Sequence, residues 1–395
     1  DIKVDSFSKE KYSSDWSPVK SGDPIAITFP RNFSQILDLV NFCNFEQLSF
    51  IGSGGRTGLS GGATALKNEL IISFEKLNKI RDFDEDTNTI LLDPGVVTRE
   101  IHEFAEKNDL FYPIDFSSSG SSQIGGNIST NAGGIRVIQY GLTEKYVKGL
   151  EIIAGNGSLY NFDENLIKNA TGPDLKNLFI GSEGVFGLIA SCRIQLIEKP
   201  HNTNVAIFSF SKIEYIEKIR KLLLDKNDIS AIEFFTNNCL AKVTKRYGVS
   251  NPLEKDDNYY VIVEYFKNRV EKKLESLFKE NILNDIIIGQ NETQNKKIWN
   301  TRLFISESIP NQKLLKYDVA VPLKNYGKLI NKIEVFSKKD KNMYPLLFGH
   351  LGDGNLHVNF LFSKEPSSLT KDLLDKKIYQ LINQLNGTIS AEHGI

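Results

Sequence analysis

Cysteine is scarce in this chain: Cys43, Cys192 and Cys239 are the only three among 395 residues. An odd number at unrelated spacings excludes a disulfide framework or a cysteine metal knuckle. It suits a reducing compartment, such as a cytoplasm or mitochondrial matrix, and all three read as packing residues. An excess of one charge is missing too. The 48 basic and 49 acidic residues are interspersed and sum to −1, so neither nucleic acid nor anionic lipid is expected as a partner. No apolar run reaches the length of a membrane span, and the start Asp1-Ile-Lys-Val4 has no signal or transit pattern. Asp1 is not a start methionine and the chain stops at Ile395, just past Glu392-His393, so both ends read as trimmed. Repeats and low-complexity tracts are absent. What is present is an ordinary globular composition, 40% hydrophobic and 25% charged, long enough for two or three domains.

Short strands and glycine turns alternate through the first half. Ser34 reads as the cap of a helix carrying Ile36, Leu37, Leu39 and Val40. Strands are predicted over 47–51, 69–74, 89–92, 147–154 and 189–197, with a helix over 99–107. Lys199-Pro200 is the predicted boundary between domains 1–200 and 201–395. Beyond it, strands at 205–210, 230–235 and 259–265 alternate with helices ending near 224, 246 and 279, a texture that predicts an α+β layer with helices on one face of a sheet.

Glycine is concentrated where a ligand could lie. Gly52-Ser-Gly-Gly-Arg-Thr-Gly58 follows a predicted strand, but Leu59 to Leu66 is too short and glycine-rich for the crossover helix of a nicotinamide-binding Rossmann unit. A plain surface turn fits poorly with so many glycines. The favoured reading is a nest of main-chain N–H groups around a pyrophosphate, with Arg56 near its charge. A longer tract, Gly120-Ser-Ser-Gln-Ile-Gly-Gly-Asn-Ile-Ser-Thr-Asn-Ala-Gly-Gly-Ile135, has too little side chain for a core and calls for an acceptor-rich ligand such as a dinucleotide.

The chain has five histidines, and two of them flank a turn, in Phe348-Gly-His-Leu-Gly-Asp-Gly-Asn-Leu-His357. A hairpin turn centred on Asp353-Gly354 predicts His350 directly opposite His357, with Asn359 next on the same face. Two imidazoles so placed can share a metal, and Glu392 offers a carboxylate as third ligand, leaving positions open for a substrate hydroxyl. Zinc is the first choice for such a set, ahead of manganese and iron. Lys297 to Ser306 reads as one helix with Arg302 and Ser306 on a shared face, and Lys316 opens a strand.

Ser53 to Gly62, Pro113-Ile-Asp115, Gly120 to Gly134 with Tyr140-Gly141, and Leu178 to Gly187 together resemble the FAD-binding half of the vanillyl-alcohol-oxidase superfamily. The tract from 120 is close to the form found in its D-2-hydroxyglutarate dehydrogenase family. The resemblance runs nearly end to end. It implies an α+β protein in which a two-subdomain FAD-binding domain precedes an α+β substrate domain with a largely antiparallel sheet. FAD contacts would fall on Ser53, Gly54, Gly55, Arg56, Thr57, Gly58, Ser60, Gly61 and Gly62. Others would fall on Ser121, Ser122, Gly125, Gly126, Asn127, Thr130, Asn131, Gly133, Gly134, Ile135, Tyr140, Glu183, Gly187 and Ile189.

Covalent members anchor flavin to a histidine or cysteine, and His102 alone occurs near these loops, in a predicted helix where it reads as solvated, so the implied FAD is non-covalent. The same resemblance implies His350, His357 and Glu392 as metal ligands and His393 as general base. Arg302, Ser306 and Lys316 would bind the substrate carboxylate and Asn359 the substrate, with serine standing where some members have threonine and one residue fewer before Lys316. The implied reaction is oxidation of a small anionic D-2-hydroxy acid, D-2-hydroxyglutarate first, with D-lactate, D-malate or glycolate as alternatives; the rivals from other classes are a nicotinamide-dependent reductase and a non-catalytic flavin- or zinc-binding module. A separate protein or small molecule would accept the electrons, and a homodimer is left open.

Overall fold

The computed structural model describes residues 1–163, 165–200, 203–225, 227–310, 312–392 and 394. The chain forms two compact units, the second comprising Ile135–Tyr140 and Pro200–Ala391 and the first the remainder. The units are therefore not contiguous halves, as the sequence suggested: the short segment Ile135–Tyr140 leaves the glycine-rich tract and joins the second. Arg136 explains this, because its guanidinium binds Glu264 through two of its nitrogens, Nε to Oε1 at 2.7 Å and Nη2 to Oε2 at 2.9 Å. Burial works to raise the Glu264 pKa, but Arg136, and then Ser230, outweigh it and pull the carboxyl below its ordinary range.

In the first unit, strands Ala26–Thr28, Leu70–Ser73 and Phe50–Ser53 pair in parallel, with Ile2–Lys3 antiparallel at one edge. A second sheet, of antiparallel strands, runs in the order Ile80–Asp84, Thr89–Leu92, Gly187–Gln195, Val147–Ala154, Leu159–Asn161. Helix Phe33–Phe45 helps join them: Ile36, Val40 and Cys43 line one face and pack in one core with Ile72 of the first sheet and Ile153 of the second. Its cap is Asn32, whose side chain accepts the Gln35 N–H at 2.9 Å, so the cap lies two residues before the Ser34 that the sequence suggested. The connection from Ser53 to Leu70 contains no helix, which removes the Rossmann reading.

The second unit is built on an antiparallel sheet ordered Asp285–Ile288, Asn204–Phe210, Tyr259–Tyr265, Ile229–Thr236, Met343–His350, Asn355–Phe362, Leu314–Ala320. Every residue of Tyr259–Tyr265 is buried, because helices cover both faces of the sheet rather than one. Val261 and Val263 point into a core with helices Ile216–Leu223, Arg269–Lys279, Tyr326–Ser337 and Ser368–Gln384. Tyr260 and Ile262 point the other way, towards Leu240 of helix Asn237–Tyr247 and Trp299 of helix Glu292–Leu303. Among the described residues, no helix is long and apolar enough to cross a membrane. Cys43, Cys192 and Cys239 are free and buried, as packing residues should be.

Candidate active site

The hairpin Met343–His350/Asn355–Phe362 carries the two histidines in a register that differs from the expectation. His350 pairs with Asn355, and His357 with Phe348. The turn takes the four residues 351–354 instead of two because Leu351 is fully buried and its N–H bonds Ile232 O at 3.0 Å, extending the strand on its other side. Gly354 closes the turn at φ +89, and Asp353 Oδ1 accepts the Asn355 N–H at 2.9 Å. A shift of two residues preserves the face. The histidines are diagonal neighbours, their ring centroids 5.4 Å apart and their planes 82° to one another.

One ligand atom each from His350, His357 and Glu392 lie within 4.8 Å of one another. Each imidazole is backed by a carboxylate. His350 Nδ1 is 2.6 Å from Glu233 Oε1, and His357 Nδ1 is 3.2 Å from Asp318 Oδ1. A carboxylate at Nδ1 makes that nitrogen the proton carrier and leaves the Nε2 lone pair for a metal. Asp318 also accepts the Asn355 amide at 2.7 Å and, through Oδ2, the Ala391 N–H at 3.2 Å, which fixes the chain one residue before Glu392. The neighbouring His393 lies outside the described residues.

Arg302 is buried beside this group. Its Nη2 is 2.8 Å from Glu233 Oε2, its guanidinium lies 4.8 Å from the centroid of the Phe348 ring, and its Nε is buried without a protein partner among the described residues. The helix expected over 297–306 is broken: Glu292–Leu303 ends at Phe304, and Ile305–Ser308 is a separate turn. Ser306 is exposed after this break, so it does not share one helical face with buried Arg302. Lys316 pairs with Asn359, and Asp318 with His357, so all four lie in one polar row across strands Leu314–Ala320 and Asn355–Phe362. Surrounding protein lowers the Lys316 pKa from its ordinary value.

The glycine tracts converge within the first unit. A Cβ on Gly55 would lie 2.1 Å from Ser121 O, and one on Gly134 2.2 Å from Asp115 O. Glu183, with φ +52, donates its N–H to Ser129 O at 2.8 Å and brings its carboxylate against Gly62. Asn127 and Ser122 spend their side chains on Thr98, at 2.6 and 2.8 Å, which locks the start of helix Ile124–Ser129. Ile189 is a buried strand residue, and Gly187 begins the same strand. Ile135 and Tyr140 belong to the second unit, where Ile135 packs against its core. His102 is a structural residue rather than a solvated one: its Nε2 meets Ile114 O at 2.9 Å.

A model of the FAD binding domain matches residues 24–163, and one of the C-terminal domain of FAD linked oxidases matches 199–395. A D-2-hydroxyglutarate dehydrogenase of Stutzerimonas stutzeri is 36% identical, over 100% of this chain and 87% of its own length. The chain belongs to the FAD-linked oxidase family. It is an FAD-dependent dehydrogenase. A D-2-hydroxyglutarate–pyruvate transhydrogenase of Saccharomyces cerevisiae is 30% identical over 97% of this chain and 81% of its own length. The fold is shared with 4-ethylphenol oxidase of Gulosibacter chungangensis, at a TM-score of 0.77 and 15% identity over 99% of this chain and 86% of that one.

The loops of this FAD-linked oxidase suit a dinucleotide. Among the described residues, Ser53 Oγ and Gln123 Oε1 are buried at the junction of two loops without a hydrogen-bond partner, and a Cβ on Gly126 would meet no atom within 4 Å. Arg56, at φ +56, is stacked 4.3 Å from the centroid of the Tyr12 ring, and Tyr12 donates to Glu75 at 2.6 Å. Sequence reading missed Glu233, Asp318 and Asn355. Signals were present: Glu233 is the lone acid in the otherwise apolar run Ala231-Ile-Glu-Phe-Phe235, and Asp318 is two residues from Lys316 on a strand, hence on its face.

Proposed function

We propose that this protein oxidises a D-2-hydroxy acid to the 2-oxo acid, with D-2-hydroxyglutarate as preferred substrate. The observation that carries this reading is the group of His350, His357 and Glu392, with a carboxylate behind each imidazole and a buried arginine on one of those carboxylates. The names of the relatives support the substrate class. A Schizosaccharomyces pombe relative, 31% identical, is called a putative D-lactate dehydrogenase, so D-lactate, with D-malate and glycolate, stays as the alternative on this site.

His350, His357 and Glu392 would hold a divalent ion, zinc by the donor set, whose Lewis acidity favours loss of the proton from a bound hydroxyl. Arg302 and Lys316 neutralise substrate carboxylate, while Asn359 supplies a hydrogen bond that fixes the C2 orientation; exposed Ser306, past the helix break, is left out of this set. A ring nitrogen of His393 takes the hydroxyl proton. The backbone N–H groups of loops 53–62 and 121–134, with the 181–187 turn, would hold FAD non-covalently, and FAD supplies the acceptor for the hydride leaving C2. The electrons then pass to a separate carrier or small acceptor.

Anaerobic mixing of the flavin-loaded protein with D- and L-2-hydroxy acids tests the reading. D-2-hydroxyglutarate should bleach the flavin fastest, and its L enantiomer should not. Equal bleaching by both, or reduction by a nicotinamide alone, would overturn it.

A further inference from the structure

Glu233 occupies an unusual position for an acid. It lies in the central strand Ile229–Thr236, opposite His350, and is fully buried. Its two oxygens go separate ways, Oε1 to His350 Nδ1 at 2.6 Å and Oε2 to Arg302 Nη2 at 2.8 Å. Burying a carboxylate is costly unless it is paired. Here one carboxylate serves a proposed metal ligand and a proposed substrate cation at once. The chain has a second buried acid of the same kind, Glu264, but that one is occupied by Arg136 and Ser230 and touches neither group.

We propose that Glu233 is the positioning residue that couples the metal site to the anion site, orienting His350 through Oε1 and Arg302 through Oε2. The inference rests on the metal reading given above and deepens it. Because the carboxylate is shared, each partner alters what the other feels. Arg302 draws charge from Glu233 and weakens its hold on the imidazole proton. Removing Arg302 makes Glu233 a stronger acceptor, the imidazole a better donor, and the surroundings less repulsive to a dication. Removing the Glu233 charge does the reverse.

The test measures zinc affinity by chelator competition in the FAD-loaded protein, without turnover. Glu233→Gln should weaken zinc about 10- to 100-fold, the range found for groups that orient metal-bound histidines. Arg302→Met should tighten zinc severalfold, although Arg302 is not itself a proposed ligand. General loss of structure cannot give shifts of opposite sign. On a His350→Ala background, Glu233→Gln should weaken zinc far less than it does in the wild-type chain, because only the through-space part of its effect is left. Unchanged affinity in Glu233→Gln, or an equal loss with and without His350, would overturn the inference. Should Glu233→Gln fail to fold, the Arg302→Met arm decides by itself: unchanged or weaker zinc binding sinks the coupling. A wild-type chain that takes up no divalent metal sinks the metal reading as well, whereas tight zinc binding indifferent to Glu233 removes only the coupling.

Discussion

The glycine loops and the polar row of the antiparallel sheet solve the problem of a binding site in opposite ways. In the loops the main chain is the instrument, and side chains such as Asn127, Ser122 and Thr98 are spent on one another to hold it in shape. Gly55 and Gly134 stand where even a methyl group would strike a carbonyl oxygen. In the row the side chains are the instrument. Lys316, His357 and Asn359 project from two paired strands, and Glu233 and Asp318 stand behind the histidines. The loops should therefore be sensitive to added volume, and the row to lost charge.

The sharpest separation, and the largest effect, is expected at His393. Replacing it with alanine should lower turnover by roughly 100- to 10,000-fold, the usual worth of a general base, while FAD and metal contents stay at wild-type levels. Stopped-flow flavin reduction, with flavin and zinc measured per chain, checks both halves. Reduction at nearly the wild-type rate would remove His393 from the chemistry.

Next in size is Arg302→Met. It should lower kcat/KM by about 2–5 kcal/mol in activation free energy, because on the proposed reading it withdraws a cation from the substrate carboxylate, and it leaves Glu233 short of a buried partner. FAD affinity should not move. Were kcat/KM to stay unchanged, Arg302 would be only a structural partner of Glu233.

These two residues also mark how far the sequence could be read. Elements with dense apolar, β-branched or aromatic runs were legible: the strands expected over 89–92, 147–154 and 259–265 are the strands observed. The face shared by His350, His357 and Asn359 was legible as well, because parity along a strand survives a shift of two. The register itself was not, since a Gly-Asp-Gly turn has no local signal that Leu351 will be claimed by Ile232 on a strand more than a hundred residues earlier. Glu233 and Asp318 were missed for the same reason. Their roles exist only across strands distant in sequence. The break at Phe304 and the docking of Ile135–Tyr140 onto the second unit, held by Arg136 and Glu264, are further tertiary facts that no window of residues contains.

The smallest effect is the most pointed for the loops. Gly126 lies inside helix Ile124–Ser129, and a Cβ there meets no protein atom within 4 Å. Alanine in a helix interior is favoured over glycine by roughly 0.5–1 kcal/mol, so Gly126→Ala should stabilise the flavin-free protein slightly. Gly55→Ala should instead destabilise it by about 1–3 kcal/mol, since Ser121 O must move. If the open side of Gly126 is where FAD lies, the alanine should nonetheless bind flavin at least about tenfold more weakly, through contact with the cofactor alone. Thermal unfolding of the flavin-free variants, set beside flavin titration, separates the two effects. A Gly126→Ala protein that is more stable yet binds FAD as tightly as wild type would show that the glycine faces solvent, and the cradle would have to be sought on the other side of the loop.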